Sequence, residues 1–292
     1  IILILVAAVG GYFMVKRALT PVDIIRKTAK EISESQDLSQ RISIGNGKDE
    51  IYQLANTFDE MLEKLEQTLD QEKQFTSDAS HELRTPVAVI MSECEYMLDC
   101  AKTPEEFKES AESIKKQTTR MTKLIAELLS FSRMDNGTQQ LNFEPLDISE
   151  LLTIVCEEQQ EIHNSSITMS TQIQPNVMVT GDHFLLTRLF INLISNAYQY
   201  GRDTGKIYVV LKEENGLVIV SVADNGIGIA PNELPNIWKR FYQVDASRTD
   251  RGNGSMGLGL SMVQWIAKQH KGTGKAESQL GKGSVFTFSM RK

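Results

Sequence analysis

The sequence predicts a multidomain protein, helical in its first half and α+β in its second. Three observations carry this. The length of 292 residues is enough for two or three domains. Apolar residues recur at helical spacing from residue 16 to about 135. Alternating strand-like runs and a hairpin-turn dipeptide follow in the second half.

Composition sets the outer limits. Charged residues make up 24% and hydrophobic residues 41%, ordinary for globular material. A net charge of −7 argues against general nucleic-acid binding. Cys94, Cys100 and Cys156 show no zinc spacing, and their odd number fits a reducing compartment. His163, His183 and His270 are scattered and read as surface or structural residues.

Residues 1–15, IILILVAAVGGYFMV, are apolar and end at Lys16-Arg17. That run is shorter than the roughly 20 residues of a membrane span. With isoleucine first, it reads as the inner end of a truncated transmembrane helix, its basic flank on the cytoplasmic side. A signal peptide or a buried strand are the alternatives, but neither a basic leader nor a cleavage site is visible.

Residues 16–70 come next. Val22, Ile25, Ala29 and Ile32 step three, four, three, as in a coiled-coil seam. A polar connector with Gly45 and Gly47 follows, then Ile51, Leu54, Phe58, Met61 and Leu65 repeat the spacing. A plain coiled-coil linker would show the same seam. Phe75, Ala79, Leu83, Val87, Ile90 and Cys94 continue in steps that are mostly four, a change of period that makes a plausible mechanical joint. Thr103-Pro104-Glu105-Glu106 starts a further helix, with an N-cap, proline at the first position and a capping-box glutamate. Ile114, Met121, Leu124, Leu128 and Phe131 form its apolar face. One hairpin leaves such stripes wet, whereas two close a four-helix bundle, so residues 71–137 predict a homodimer. Asn136-Gly137 breaks the helix, and a linker to about Pro145 leads into a last domain spanning 138–292.

Within the hairpin lies His81-Glu82-Leu83-Arg84-Thr85-Pro86. Helical spacing puts His81, Arg84 and Thr85 on one face. Neutral imidazole is nucleophilic near pH 7, and the adjacent Glu82 carboxylate can bend back to hold its proton. Pro86 removes a backbone donor and loosens the helix one turn away. A lone helix histidine is usually structural; here the hexapeptide and the upstream Phe75, Ser77, Ala79 and Ser80 sharpen the reading.

The last domain holds three further elements. Asn192 and Asn196 lie four apart in RLFINLISNAYQYG, at the border of the apolar stripe of Leu189, Leu193, Ile194 and Ala197. An amide oxygen suits Mg²⁺, although paired asparagines alone are more often surface residues. A strand over 217–223 follows Asn215-Gly216, a hairpin dipeptide joining it to KIYVVLKEE. It ends at Asp224, with Gly226 and Gly228 beyond. A carboxylate there would accept from the adenine amino group, where guanine offers a carbonyl. Without context, the same residues make an ordinary turn. Gly252, Gly254, Gly257, Leu258 and Gly259 then open a helix over 258–270, and backbone donors at a glycine-rich helix start bind phosphates. The string satisfies G-x-G-x-x-G, but the polar QVDASRTDR precedes it where a dinucleotide fold needs a strand, and no P-loop Lys-Ser/Thr follows.

Together these elements resemble the sensor histidine kinases of two-component systems. The hexapeptide resembles their phosphoacceptor box. The second half resembles the ATP-binding α/β sandwich of the histidine kinase, gyrase, Hsp90 and MutL superfamily. Residues 16–70, with Pro21 and Asp49-Glu50, resemble a HAMP relay. An aromatic box, NIWKRFYQVDASR with Trp238, Phe241 and Tyr242, stands where that family has a lid between its glycine boxes. The resemblance implies catalytic roles for His81, Glu82 and Thr85. It implies ATP contacts at Asn192, Asn196, Tyr200, Asp224, Gly226, Gly228, Arg240 and the second glycine box, with Asn196 holding Mg²⁺. It further implies a response regulator as partner, phosphatase activity through Thr85, and an inner-membrane protein with residues 16–292 cytoplasmic. Two positions depart from the pattern. Gln199 and Gln243 stand where the family usually has phosphate-touching cations, leaving Lys239, Arg240, Arg248 or Arg251 to compensate. A clamp-type ATPase and a catalytically decayed signalling dimer are the rival readings. The first leaves the His81 hexapeptide unexplained, and the second rests on the two glutamines.

Overall fold

The computed structural model describes residues 1–35, 37–42, 50–135, 140–163, 166–244 and 257–292. It contains two compact units, Ile1–Asp78 and Ala79–Lys292.

In the first unit, α1 (Ile2–Ser35) runs unbroken from the apolar lead through Pro21. Its exposed N-terminal stretch is long and apolar enough to cross a membrane. Beyond it, the Asp37 carboxylate accepts the Ser39 hydroxyl at 2.6 Å and its amide at 3.1 Å. The connector is tied to the start of α2 (Glu50–Asp99) by two polar contacts. The Ile42 amide donates to Asp59 at 2.7 Å, and Arg41 pairs with Glu66 at 2.6 Å. Among the described residues of this unit, Ile32, Ile42, Ala55 and Leu62 are the buried apolar ones. Leu54, Met61 and Leu65, expected in one seam with Ile51 and Phe58, stay exposed. The apolar stripe is therefore wider than this unit covers by itself. Gly45, Gly47 and Asp49 lie outside the described residues.

In the second unit, the rest of α2 and α3 (Pro104–Asp135) form a helical hairpin. The expected capping box is present: the Glu106 amide donates to the Thr103 hydroxyl at 3.3 Å, and Glu106 accepts the Thr103 amide at 3.2 Å. Pro86 lies inside α2, which continues past it. One missing donor is thus absorbed without a break. Leu124, Phe131 and Met134 are buried, while Val87, Met91, Ile125 and Leu129 remain exposed. Asn136-Gly137 lies outside the described residues.

The remainder is a two-layer sandwich. Its elements are β1 (Phe143–Asp147), α4 (Ile148–His163), β2 (Thr168–Ile173), β3 (Met178–Asp182), α5 (His183–Gln199), β4 (Lys206–Glu214), β5 (Leu217–Asp224), α6 (Gly259–Gln269), β6 (Thr273–Gln279) and β7 (Gly283–Arg291). Five strands form one sheet in the order β2-β4-β5-β7-β6, with β2–β4 parallel and the other pairs antiparallel. Val218, Val220 and Val222 of β5 share a face with Phe286, Phe288 and Met290 of β7, all buried. This alternation is what a sheet covered on one side requires. Leu185, Leu189, Phe190, Leu193 and Ile194 of α5 and Met262, Val263 and Ile266 of α6 supply much of the covering layer. Asn215 and Gly216 take φ of 53° and 74°, the two positive values of a type I′ hairpin turn.

One element departs from the sequence reading. The end of the expected linker, from Phe143 to Pro145, belongs instead to strand β1, paired with β3 through Pro145↔Thr180. Proline weakens a strand pattern, but the short two-stranded ladder tolerates it because an edge position needs no donor there.

Candidate functional site

His81 is exposed on α2, so its ring is open to a reactant. The Thr85 hydroxyl donates to the His81 carbonyl at 3.4 Å, placing it one turn along the same helix. Glu82 does not follow the expectation of bending back. Its carboxylate reaches across the hairpin to Arg120 on α3, with N···O at 3.5 Å. Both side chains are about a third exposed, so the pair adds little stability; its consequence is to orient the carboxylate.

The second cluster sits at the end of β5. Asp224 accepts the Gly226 amide at 2.8 Å, and the Ser284 amide also faces it. Burial pushes its carboxyl above the usual range, and these two N–H groups pull it part of the way back. Gly226 lies against the Tyr200 carbonyl, where any side chain would collide with backbone. Gly228, at φ 67°, lies against the Gln279 carbonyl in the same way. The Ile227 amide donates to the Tyr200 carbonyl at 3.2 Å and the Gly281 amide to the Ile227 carbonyl at 2.7 Å. The Asp224 loop is thereby clasped between the end of α5 and the β6–β7 turn.

On α5, the Asn192 side-chain nitrogen is buried with no partner among the described residues. Its oxygen lies 3.2 Å from where a Cβ would stand on Gly259, the first residue of α6. An unpaired buried donor beside a glycine helix start suits an anionic ligand. Gly257, at φ 69°, backs onto the Phe241–Tyr242 backbone, and Leu258 is buried. Asn196 lies one turn beyond Asn192 and is half-buried. Among the described residues there is no cluster of three or more His, Cys, Asp or Glu, so a divalent ion here would depend on an amide and on phosphate oxygens. Gly252, Gly254, Arg248 and Arg251 lie outside the described residues.

The structure therefore brings Asn192 to Gly259, and the Tyr200 carbonyl to the Gly226-Ile227 backbone of the loop that follows Asp224. It seats Arg240 elsewhere, 5.1 Å from the ring centre of Phe131 on α3. Trp238 packs edge-on against Phe286, with ring centres 6.3 Å apart, and so anchors the near side of the aromatic box to β7.

Three family descriptions match in series: "HAMP domain" over residues 13–67, "His Kinase A (phospho-acceptor) domain" over 71–137, and "Histidine kinase-, DNA gyrase B-, and HSP90-like ATPase" over 181–292. The chain is 30% identical to Sensor protein CutS of Streptomyces coelicolor, over 99% of this chain and 69% of that protein. It belongs to the sensor histidine kinases. Sensor histidine kinase YkoH of Bacillus subtilis is 31% identical over 96% of this chain and 61% of its own length. A structure of histidine kinase ThkA in complex with the response regulator protein TrrA shares the fold, with TM-score 0.61 and 23% identity over 85% of this chain and 68% of that one. The chain spans roughly half to two thirds of the length of the curated relatives it matches.

In this sensor histidine kinase, three further residues stand beside the expected ones. Ser284 faces Asp224 across the β5–β7 ladder. Ser278 stands opposite Ser284 on β6. Arg188 lies one turn before Asn192 and donates to the Ser130 hydroxyl of α3 at 2.5 Å. Gly281-Lys282-Gly283-Ser284, a third glycine turn between strands, was the available signal for the serines. For Arg188 there was none, because its partner is 58 residues away.

Proposed function

We propose that the protein autophosphorylates His81 from ATP and passes the phosphoryl group to an aspartate of a response regulator, and that it also dephosphorylates that regulator. The observation that carries this reading is the conjunction of an exposed histidine with a strand-end carboxylate in a glycine loop and a buried amide with no partner among the described residues of the same chain. Asp224 binds the adenine amino group. Asn192 and the backbone donors around Gly257, Leu258 and Gly259 hold phosphate oxygens. Mg²⁺, held by Asn196, would neutralise charge on the phosphates.

In the transfer, a lone pair on the His81 ring attacks the γ-phosphorus. A P–N bond forms, the bond to the β–γ bridging oxygen breaks, and ADP leaves with that electron pair. The ring proton passes to Glu82, whose carboxylate leaves its part-exposed contact with Arg120 to reach the imidazole. Positioning supplies most of the acceleration. Thr85, one turn away, aligns water for hydrolysis of the regulator's phosphoaspartate. The chain acts as a homodimer, in which a second hairpin covers the exposed Val87, Met91, Ile125 and Leu129. The N-terminal part of α1 anchors it in the inner membrane, with residues 16–292 cytoplasmic. The domains divide near residues 15, 70 and 137.

His81→Gln with γ-labelled ATP tests the reading. The expected result is complete loss of acid-labile label with ATP binding retained. Label persisting in the variant overturns the assignment of His81. ATP binding without label in the parent chain favours a decayed site.

A further inference from the structure

Ser278 ties together the segments on either side of Asp224. Asp224, Ser284 and Ser278 form one row across three neighbouring strands, β5, β7 and β6. Register partners share a face, so all three point to the side of the sheet that the helices cover. The Ser278 hydroxyl has three partners: it accepts the Ile229 amide at 2.7 Å, donates to the Gly283 carbonyl at 2.8 Å, and lies 2.9 Å from the Ser284 hydroxyl. A hydroxyl has one donor and two acceptor sites. Donation to Gly283 uses the donor, so the Ser284 hydroxyl donates to Ser278, and every site is filled.

These partners belong to the two segments that flank Asp224. Ile229 closes the glycine loop that begins at Asp224. Gly283 and Ser284 begin β7, and the Ser284 amide faces the Asp224 carboxylate. Backbone at Gly283, φ 116°, packs directly on the Asp224 carbonyl. Ser278 thus joins the loop to the strand that supplies one of the donors to Asp224, without facing Asp224 across a ladder itself.

We infer that Ser278 is a positioning residue for nucleotide selection: its hydroxyl sets the spacing between the glycine loop and β7, and so aims the Asp224 carboxylate at the adenine amino group. The inference rests on the ATP-binding reading proposed above.

The test compares Ser278→Ala, Ser278→Val and Ser278→Thr in the whole chain. Thr keeps the hydroxyl, and Val matches its shape without it. Calorimetric titration with ATP and with GTP is paired with initial rates of autophosphorylation. Ala and Val are expected to raise the ATP Kd and KM about tenfold, the effect of one ordinary hydrogen bond. They should leave kcat within about twofold and narrow the preference for ATP over GTP, while Thr restores all three. Unchanged ATP affinity and base preference in folded Ala or Val overturns the inference, as does equal loss in Thr. Should Ala fail to fold, the Thr and Val pair decides. If the parent chain binds no ATP, the ATP-binding reading itself has failed and takes this inference with it. Parent binding with an indifferent Ser278 sinks only the inference.

Discussion

Asp224→Asn should separate nucleotide affinity from stability. The native carboxylate accepts the Gly226 amide at 2.8 Å, faces the Ser284 amide, and has acceptor capacity left for the adenine amino group. An asparagine keeps one oxygen and adds an amino group. With its oxygen on Gly226, it turns N–H groups towards the Ser284 amide and the adenine amino group, donor against donor. Losing a hydrogen bond to a charged acceptor costs about 1.5–3 kcal/mol, which corresponds to roughly a 10- to 150-fold rise in ATP Kd. Stability should respond differently. Burial raises the folded pKa of Asp224 above its unfolded value, so its contribution to stability is full below the unfolded pKa and is lost as pH rises through the folded one. At neutral pH the buried charge is a cost that asparagine removes, offsetting the lost acceptor. The melting temperature should therefore stay within about 4 °C of the parent. The assay is calorimetric titration with ATP alongside a thermal scan. A variant that binds ATP like the parent, or that loses binding only because it has melted, would refute the reasoning.

Three other outcomes follow from the geometry. His270 is buried as a neutral ring: Nε2 accepts the Asp182 amide at 3.0 Å, and Nδ1 donates to the Ile266 carbonyl at 2.9 Å. Burial lowers its pKa, so its contribution is present above the unfolded value and lost as pH falls through the folded one; the melting temperature should drop in that acid window, and His270→Gln should flatten the dependence. Arg188→Ala removes the bond to Ser130 and the positive charge beside the half-buried Glu127, whose carboxyl burial already holds above the usual range. It should loosen the ATP-binding lobe from α3, visible as faster proteolysis of residues 130–145, with a cost of about 1–3 kcal/mol; unchanged cleavage would contradict it. Thr85→Ala should keep autophosphorylation but slow dephosphorylation of a regulator about a hundredfold, the scale of losing one group that positions a proton acceptor. Equal loss of both activities would count against that role.

Caps and turns whose partners lie within one turn of chain were legible, although the direction of Glu82 beside His81 was not. The Thr103–Glu106 box, the Asn215-Gly216 turn and the spacing of Asn192 and Asn196 depend on neighbours a few residues apart, and a linear pattern records such contacts. Strand β1 was missed because its ladder is with β3, which no local periodicity announces, and because Pro145 disguised it.

The sequence by itself determined the residue types that the proposed chemistry needs: an imidazole beside a carboxylate and a hydroxyl, a strand-end aspartate, and glycines where backbone must approach closely. Tertiary structure alone decided their partners. It turned Glu82 to Arg120, Arg240 to Phe131 and Arg188 to Ser130, and it gathered Asp224, Ser284 and Ser278 into one row. The physical reason is range. Propensity and capping act over three or four residues, whereas the direction a long side chain takes is settled by the charges and surfaces that folding brings beside it.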